Sequence, residues 1–188
     1  MKPAFPFGLC LFVVVAFATL IGCNRGALSD ANGNRPSSSP APVGISSSAE
    51  VVKITTPPVS IAAIGSANAV VNLLISPGFH INANPATFSY LIATEVVHSA
   101  DPDEPLVTGK PVYPAGIKKK FAFAEQPLAV YEGDVTITLP LQLPSVNYVH
   151  PGKGAHLSLP IIVKVQACDN EKCFPPATVN ATIPVEVK

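Results

Sequence analysis

The sequence predicts an all-β domain, an immunoglobulin-like antiparallel β-sandwich, preceded by a signal peptide and a disordered tether. Three observations predict it. In the C-terminal part of the chain apolar residues recur at every second position, the period of a half-buried strand rather than a helix. Prolines number 21 in 188 residues, and clear helix-forming runs are few. Residues 1–50 show no such alternation: an apolar segment is followed by a polar one rich in Ser, Pro, Gly, Asn and Ala.

Residues 1–22 read as the signal peptide of a lipoprotein. Lys2 supplies the positive charge, and Leu9 to Ile21 is an uncharged apolar run of thirteen residues. A bilayer-spanning helix needs roughly 20, whereas a run of this length suits a signal-peptide core. It ends in L-I-G-C, Leu20 to Cys23, which resembles a bacterial lipobox. In that pattern Cys23 is lipidated, becomes the new N-terminus and holds the protein at the membrane. The alternative is an ordinary cleaved signal with an incidental cysteine. Residues 23–50 are expected to form a lipid-anchored, disordered Ser/Pro/Gly-rich linker, too polar to bury a core and suited to a flexible spacer. The expected location is the bacterial cell envelope, facing the periplasm.

Residues 51–188 are expected to be one folded domain, of a size that supports a single core. Early strand candidates are Val51 to Thr55, Ala69 to Ser76 and Phe88 to Val97. In D-V-T-I-T-L-P-L-Q-L, Val135, Ile137, Leu139, Leu141 and Leu143 share one face. In H-L-S-L-P-I-I-V-K-V-Q-A-C the inward set is Leu157, Leu159, Ile161, Val163, Val165 and Ala167. In the last segment it is Val179, Ala181, Ile183, Val185 and Val187. Pro140, Pro160 and Pro184 interrupt these patterns and suggest edge strands or bulges. Six to eight strands separated by turn signals favour the immunoglobulin-like sandwich.

The charge balance excludes some function classes. Lysine and arginine total 12 and aspartate and glutamate total 12, so the basic surface that a nucleic-acid binder needs is missing. No G-x-S-x-G motif or placed acid pair suggests hydrolysis.

The chemistry left is sulfur chemistry. Of four cysteines, Cys10 leaves with the signal and Cys23 is taken by the lipid. Cys168 and Cys173 remain, and in an oxidising compartment two such near neighbours should pair as a disulfide. Strand parity places Cys168 on the outward set, and polar Asp169 to Lys172 reads as a hairpin tip. The bond is therefore expected at the surface. A staple across so short a loop removes little unfolded-state entropy, roughly 2 kcal/mol, and accessible short-loop disulfides tend to exchange. Staple and redox pair remain open. A metal clip is less well supported: two thiolates are half a tetrahedral zinc site, and His80, His98, His150 and His156 show no ligand spacing among themselves. No cofactor and no metal are expected.

From about Val51 onward the chain resembles the N-terminal periplasmic domain of the DsbD thiol:disulfide interchange proteins, the disulfide bond corrector or DsbC-like family. The matching landmarks are P-G-F-H-I-N (Pro77 to Asn82), Y-P-A-G (Tyr113 to Gly116), V-Y-E-G (Val130 to Gly133) and C-D-N-E-K-C-F-P-P (Cys168 to Pro176). The resemblance implies an immunoglobulin-like fold and thiol-disulfide interchange at a reversible Cys168–Cys173 pair. Reducing equivalents would pass between a thioredoxin-like or membrane thiol reductase partner and envelope disulfide proteins, making the chain a thiol:disulfide oxidoreductase component. A family loop with an aromatic cap corresponds to Lys119 to Pro127, with Phe121 or Phe123 as the cap; the alternative is that both are core residues on a strand. Phe79, His80 and Asn82 stand where the family's site-lining aromatics lie. His80 could contact a thiolate, and Phe174 could shield the disulfide. The competing reading is a non-catalytic envelope interaction module with a structural disulfide.

Overall fold

The computed structural model describes residues 44–98, 104–144 and 151–188. The expected signal peptide, Cys23 and most of the expected linker lie outside the described residues, as does His150. The period-two segments become twelve strands: β1 (Val52–Thr55), β2 (Val59–Ile61), β3 (Gly65–Ile75), β4 (His80–Asn82), β5 (Glu95–His98), β6 (Val107–Thr108), β7 (Ile117–Lys119), β8 (Leu128–Tyr131), β9 (Asp134–Leu143), β10 (His156–Val165), β11 (Ala167–Cys168) and β12 (Ala177–Val187). They form three four-stranded sheets, ordered β1-β3-β9-β6, β2-β12-β10-β5 and β11-β4-β8-β7. All pairings are antiparallel except β12 with β2. The result is the expected immunoglobulin-like β-sandwich, with the third, smaller sheet at the candidate site. Among the described residues no helix is long and apolar enough to cross a membrane.

Alternation dictates the core. Val135, Ile137, Leu139, Leu141 and Leu143 are all buried, as are Leu159, Ile161, Val163 and Val165, and Ile183, Val185 and Val187. They belong to one apolar cluster fed by both large sheets. Each fully buried Leu, Ile or Val contributes about 1.5–3 kcal/mol by leaving water. A register slip of one residue would turn a whole set outward, so the pattern fixes pairings such as Val71 with Ile137 and Ile161 with Ala181.

The three strand prolines lie in inner strands, not at edges. Pro140 faces the β6 side, where its carbonyl accepts from Gly109 N and the outer strand pairs only at Leu141 and Gln142. Pro160 and Pro184 point away from the β10–β12 ladder, just past the ends of short outer strands β5 and β2. A proline lacks only its N–H, and at these places no ladder bond asks for it.

One expectation about an element's limits is revised. The candidate strand Phe88 to Val97 becomes a strand only from Glu95, running Glu95–His98; Phe88 to Thr94 is a loop. It is tied down by polar side chains. Asn82 Nδ2 donates to Ile92 O and to Gln166 Oε1, and Gln166 Oε1 also accepts from Ile92 N. Thr94 donates through both N and Oγ1 to Asn82 O. Ser48–Val51 forms a 3-10 turn capped by Ser47, and Ser48 is fully buried.

The shared motifs are largely scaffold. Tyr113 Oη accepts from Val96 N, and Tyr131 Oη donates to Pro114 O and accepts from Asn84 N. Gly78 takes a φ of 86° in the turn before β4, a conformation that favours glycine. Gly116 is needed for closeness: a Cβ there would lie 2.5 Å from Ala83 Cβ.

Candidate functional site

After β10 ends at Val165 the chain changes sheets. Gln166 breaks the strand, and Ala167–Cys168 pairs with β4 instead, Ala167 opposite Ile81 and Cys168 opposite His80. Ser48 seals the switch: its Oγ accepts from Ala167 N at 2.9 Å and donates to Pro175 O at 2.7 Å. Parity counted along β10 still places Ala167 in the core with Val165, but the opposite side, open along β10, is covered here. Ala167 and Cys168 are both fully buried, and the expectation of a surface position for Cys168 is corrected. Each faces a different covered side of the ribbon.

The polar tip folds as expected. Asp169 N donates to Lys172 O, and Asp169 Oδ1 accepts from Glu171 N and Lys172 N at 2.8 Å each, so the side chain makes its own turn. Burial pushes the Asp169 pKa up, but the N–H bonds from Lys172 and Glu171, with the nearby Lys172 and His80 charges, outweigh it and hold it below the usual value. Cys168 and Cys173 sit directly opposite each other on this hairpin. Ala167 and Phe174 on one side, and Asp169 and Lys172 on the other, make the hydrogen bonds. The cysteines thus occupy the non-hydrogen-bonded pair, where strands approach closest. They are joined in a disulfide with Cα atoms 3.8 Å apart, nearer than the usual ~4.4–6.8 Å.

The two sulfurs differ in environment. Cys168 is buried, whereas Cys173 is half-buried and lines an open cleft of about 720 Å³. Lys172 and Glu171 border the cleft from the hairpin, Phe123, Ala124 and Gln126 from the loop after β7, and Phe88, Tyr90 and Leu91 from the loop before β5. Phe88 and Tyr90 stack with ring centroids 5.3 Å apart, and Tyr90 is 75% exposed. Sequence reasoning assigned the Phe88 loop to a strand and so missed it as a wall. The only hint was the pair of aromatics two residues apart beside polar turn residues.

Phe121 and Phe123 lie in a loop between β7 and β8, not on a strand. Phe121 is buried and stacks on His80 at 4.0 Å, and Phe123 stacks on Phe121 at 5.3 Å. Phe123 is 41% exposed. Lys120 Nζ ties the loop by donating to Ala124 O and Glu125 O. Of the two, Phe123 lines the same cleft as Cys173, while Phe121 stacks on the imidazole.

The remaining candidate residues divide. His80 is buried; burial pushes its pKa down to about 4, Glu132 and Asp169 oppose the shift and Lys119 adds to it. Asn82 is buried and holds the cleft-wall loop through its amide. Phe79 and Phe174 are neighbours in sequence of His80 and Cys173, hence on the other side of the ribbon. They pack edge-to-face at 6.0 Å, with Lys172 Nζ 5.4 Å from the Phe174 ring centre. Among the described residues no group of three or more His, Cys, Asp or Glu side chains could hold a metal ion.

A β-sandwich that sets a short-loop disulfide at a sheet edge, one sulfur inside and one facing a cleft, defines a domain equipped for thiol-disulfide chemistry. The chain belongs to the family of the N-terminal domain of thiol:disulfide interchange protein DsbD, whose sequence model matches residues 52–184. Among solved structures it is similar to the N-terminal periplasmic domain of ScsB from Proteus mirabilis, with 12% identity, a TM-score of 0.42 and 72% of this chain covered. The alignment spans 45% of that chain. It is also similar to AggA, the major subunit of aggregative adherence fimbriae type I from Escherichia coli, at 12% identity and a TM-score of 0.36, covering 73% of this chain and 94% of that one. No curated protein matches it in sequence.

Proposed function

We propose that this protein is a lipid-anchored thiol-disulfide interchange domain of the bacterial envelope, relaying reducing equivalents through a reversible Cys168–Cys173 disulfide. The observation that carries this reading is the asymmetry of the bond. Cys173 lines a cleft that a partner can enter, whereas Cys168 is enclosed. Interchange needs in-line attack of a thiolate on one accessible sulfur, and Cys173 is the sulfur that offers itself. Cys168 is then the leaving group and later the resolving thiol. Phe123 screens the approach as the cap, and movement of the Lys120 to Pro127 loop admits the partner. Family membership supports the same chemistry.

The partners are a thioredoxin-like or membrane thiol reductase protein upstream and envelope disulfide proteins downstream. Among the described residues no α-helix lends its N-terminus to these cysteines, so the activated thiolate is supplied by the partner. Cys23 carries the lipid, residues 1–22 are removed, and the polar linker spaces residues 51–188 from the membrane.

A thiol-labelling redox titration tests the relay against an inert staple. A relay titrates near its partners' potentials; a structural bond resists reduction to below about −300 mV, and that result would count against relay function. Trapping adds an independent arm. Cys168→Ser leaves Cys173 free at the cleft and is expected to recover disulfide-linked envelope proteins, whereas Cys173→Ser recovers few. Equal, empty recoveries would sink the proposal.

A further inference from the structure

In the disulfide form the residue paired across the sheet with Cys168 leaves a buried polar atom over, as Asn82 and His98 do elsewhere. His80 Nε2 is buried and has no hydrogen-bond partner among the described residues. Native interiors rarely leave such an atom unpaired without a reason. His80 is the cross-strand partner of Cys168, and Cys168 is the cross-strand partner of Cys173. Directly opposed residues point to one face with Cβ atoms about 4.5–5.5 Å apart, so imidazole, buried sulfur and cleft sulfur stand in one row. Phe121 closes the row at the His80 end.

The charged groups facing His80 are otherwise engaged. Lys119 of β7 pairs with Glu132, which follows β8, and the Asp169 carboxylate of the hairpin is bound by backbone N–H groups. This leaves the imidazole as the polar group directly across from the Cys168 sulfur.

Resting on the relay reading, we propose that His80 is the proton-holding partner of the Cys168 sulfur in the reduced state. A partner thiol attacks Cys173 Sγ; a bond forms between the partner sulfur and Cys173, and the Cys173–Cys168 bond breaks. The electron pair stays on Cys168 Sγ. The proton given up by the attacking thiol is taken, through solvent, by the Cys168–His80 pair, so charge and atoms balance. Burial disfavours a bare thiolate, and a protonated imidazole beside it cancels the charge. His80 is thus a positioning residue for the leaving sulfur. In the disulfide form burial outweighs the opposing Glu132 and Asp169 charges and keeps it neutral at pH 7; a neighbouring thiolate reverses that preference.

The test is imidazole NMR of the full chain across pH, in the oxidised protein and after reduction with a phosphine. The chain has 4 histidines, and His80→Gln identifies the His80 signal by its loss. On reduction the His80 pKa is expected to rise by one unit or more, a tenfold gain in proton affinity. The rise should also appear in Cys173→Ser, which keeps the Cys168 thiol, and be absent from Cys168→Ser and Cys168→Ala. Identical titration in both redox forms overturns the proposal, as does a rise that survives without Cys168. A bond that the phosphine cannot open in the folded protein counts instead against the relay reading. Cys173→Ser needs no reduction and still decides the proton partner: a His80 as low there as in Cys168→Ser overturns it. A second readout is alkylation of Cys168 in the Cys173→Ser background. Adding His80→Gln should move its pH midpoint by a unit or more.

Discussion

Replacing Ser48 with alanine tests whether the hairpin bearing the disulfide is held from a distance. Ser48 Oγ bonds both strands of that hairpin, accepting from Ala167 N and donating to Pro175 O, 119 and 127 positions away in the chain. The site is fully buried, so no water replaces the lost hydroxyl. Ala167 N–H is left unpaired, at about 1–3 kcal/mol. Pro175 O keeps a second bond from Ser48 N at 3.3 Å, so its loss is nearer the ~1 kcal/mol of an ordinary hydrogen bond. Together the substitution should cost about 2–4 kcal/mol. With a urea slope near 2 kcal/mol per molar, the unfolding midpoint falls by roughly 1–2 M at unchanged slope. Ser47→Ala is the control: its hydroxyl caps an exposed turn through a 3.3 Å bond, and its loss should cost below about 1 kcal/mol. Hydrogen exchange at the Ala167 amide should speed up in Ser48→Ala alone. A midpoint shift under about 0.25 M, or an unchanged Ala167 exchange rate, would refute the clamp.

Other perturbations give separable outcomes. Gly116→Ala forces a methyl to within 2.5 Å of Ala83 Cβ and 3.3 Å of Val130 N; overpacking of about 1–3 kcal/mol should appear as a lowered melting temperature. Phe123→Ala, at a 41% exposed ring beside Cys173, should change stability by less than about 1 kcal/mol yet speed reduction of the disulfide by small thiols several-fold; an unchanged rate argues against a cap. Phe121→Ala, which uncovers His80 and empties a buried position, should cost about 3–5 kcal/mol in chemical denaturation. The His80 pKa is lowered from 6.5 in its ordinary state to about 4 in the folded protein, so the unfolded chain binds more protons between those values. Stability of the oxidised protein therefore falls as pH drops from about 6.5 to 4, by up to roughly 3 kcal/mol. His80→Gln should lack that portion of the loss in paired denaturation curves.

What the sequence alone determined is what a local rule can express. Alternation with period two named the inward residues of β9, β10 and β12, because within one strand every second side chain must face the same way. Cysteine counting paired Cys168 with Cys173, and Asp169 to Lys172 announced their turn, because a five-residue separation leaves little freedom. Only the tertiary structure decided how the two sulfurs differ. Parity carries on through Ala167 but says nothing of what covers the other side, so a count along β10 could not see that Cys168 is buried against the third sheet. Likewise Phe121 meets His80, Ser48 meets Ala167 and the Phe88 loop faces Cys173 across long stretches of chain. Such meetings are set by sheet packing and by buried polar groups finding partners, and no spacing in the sequence records them.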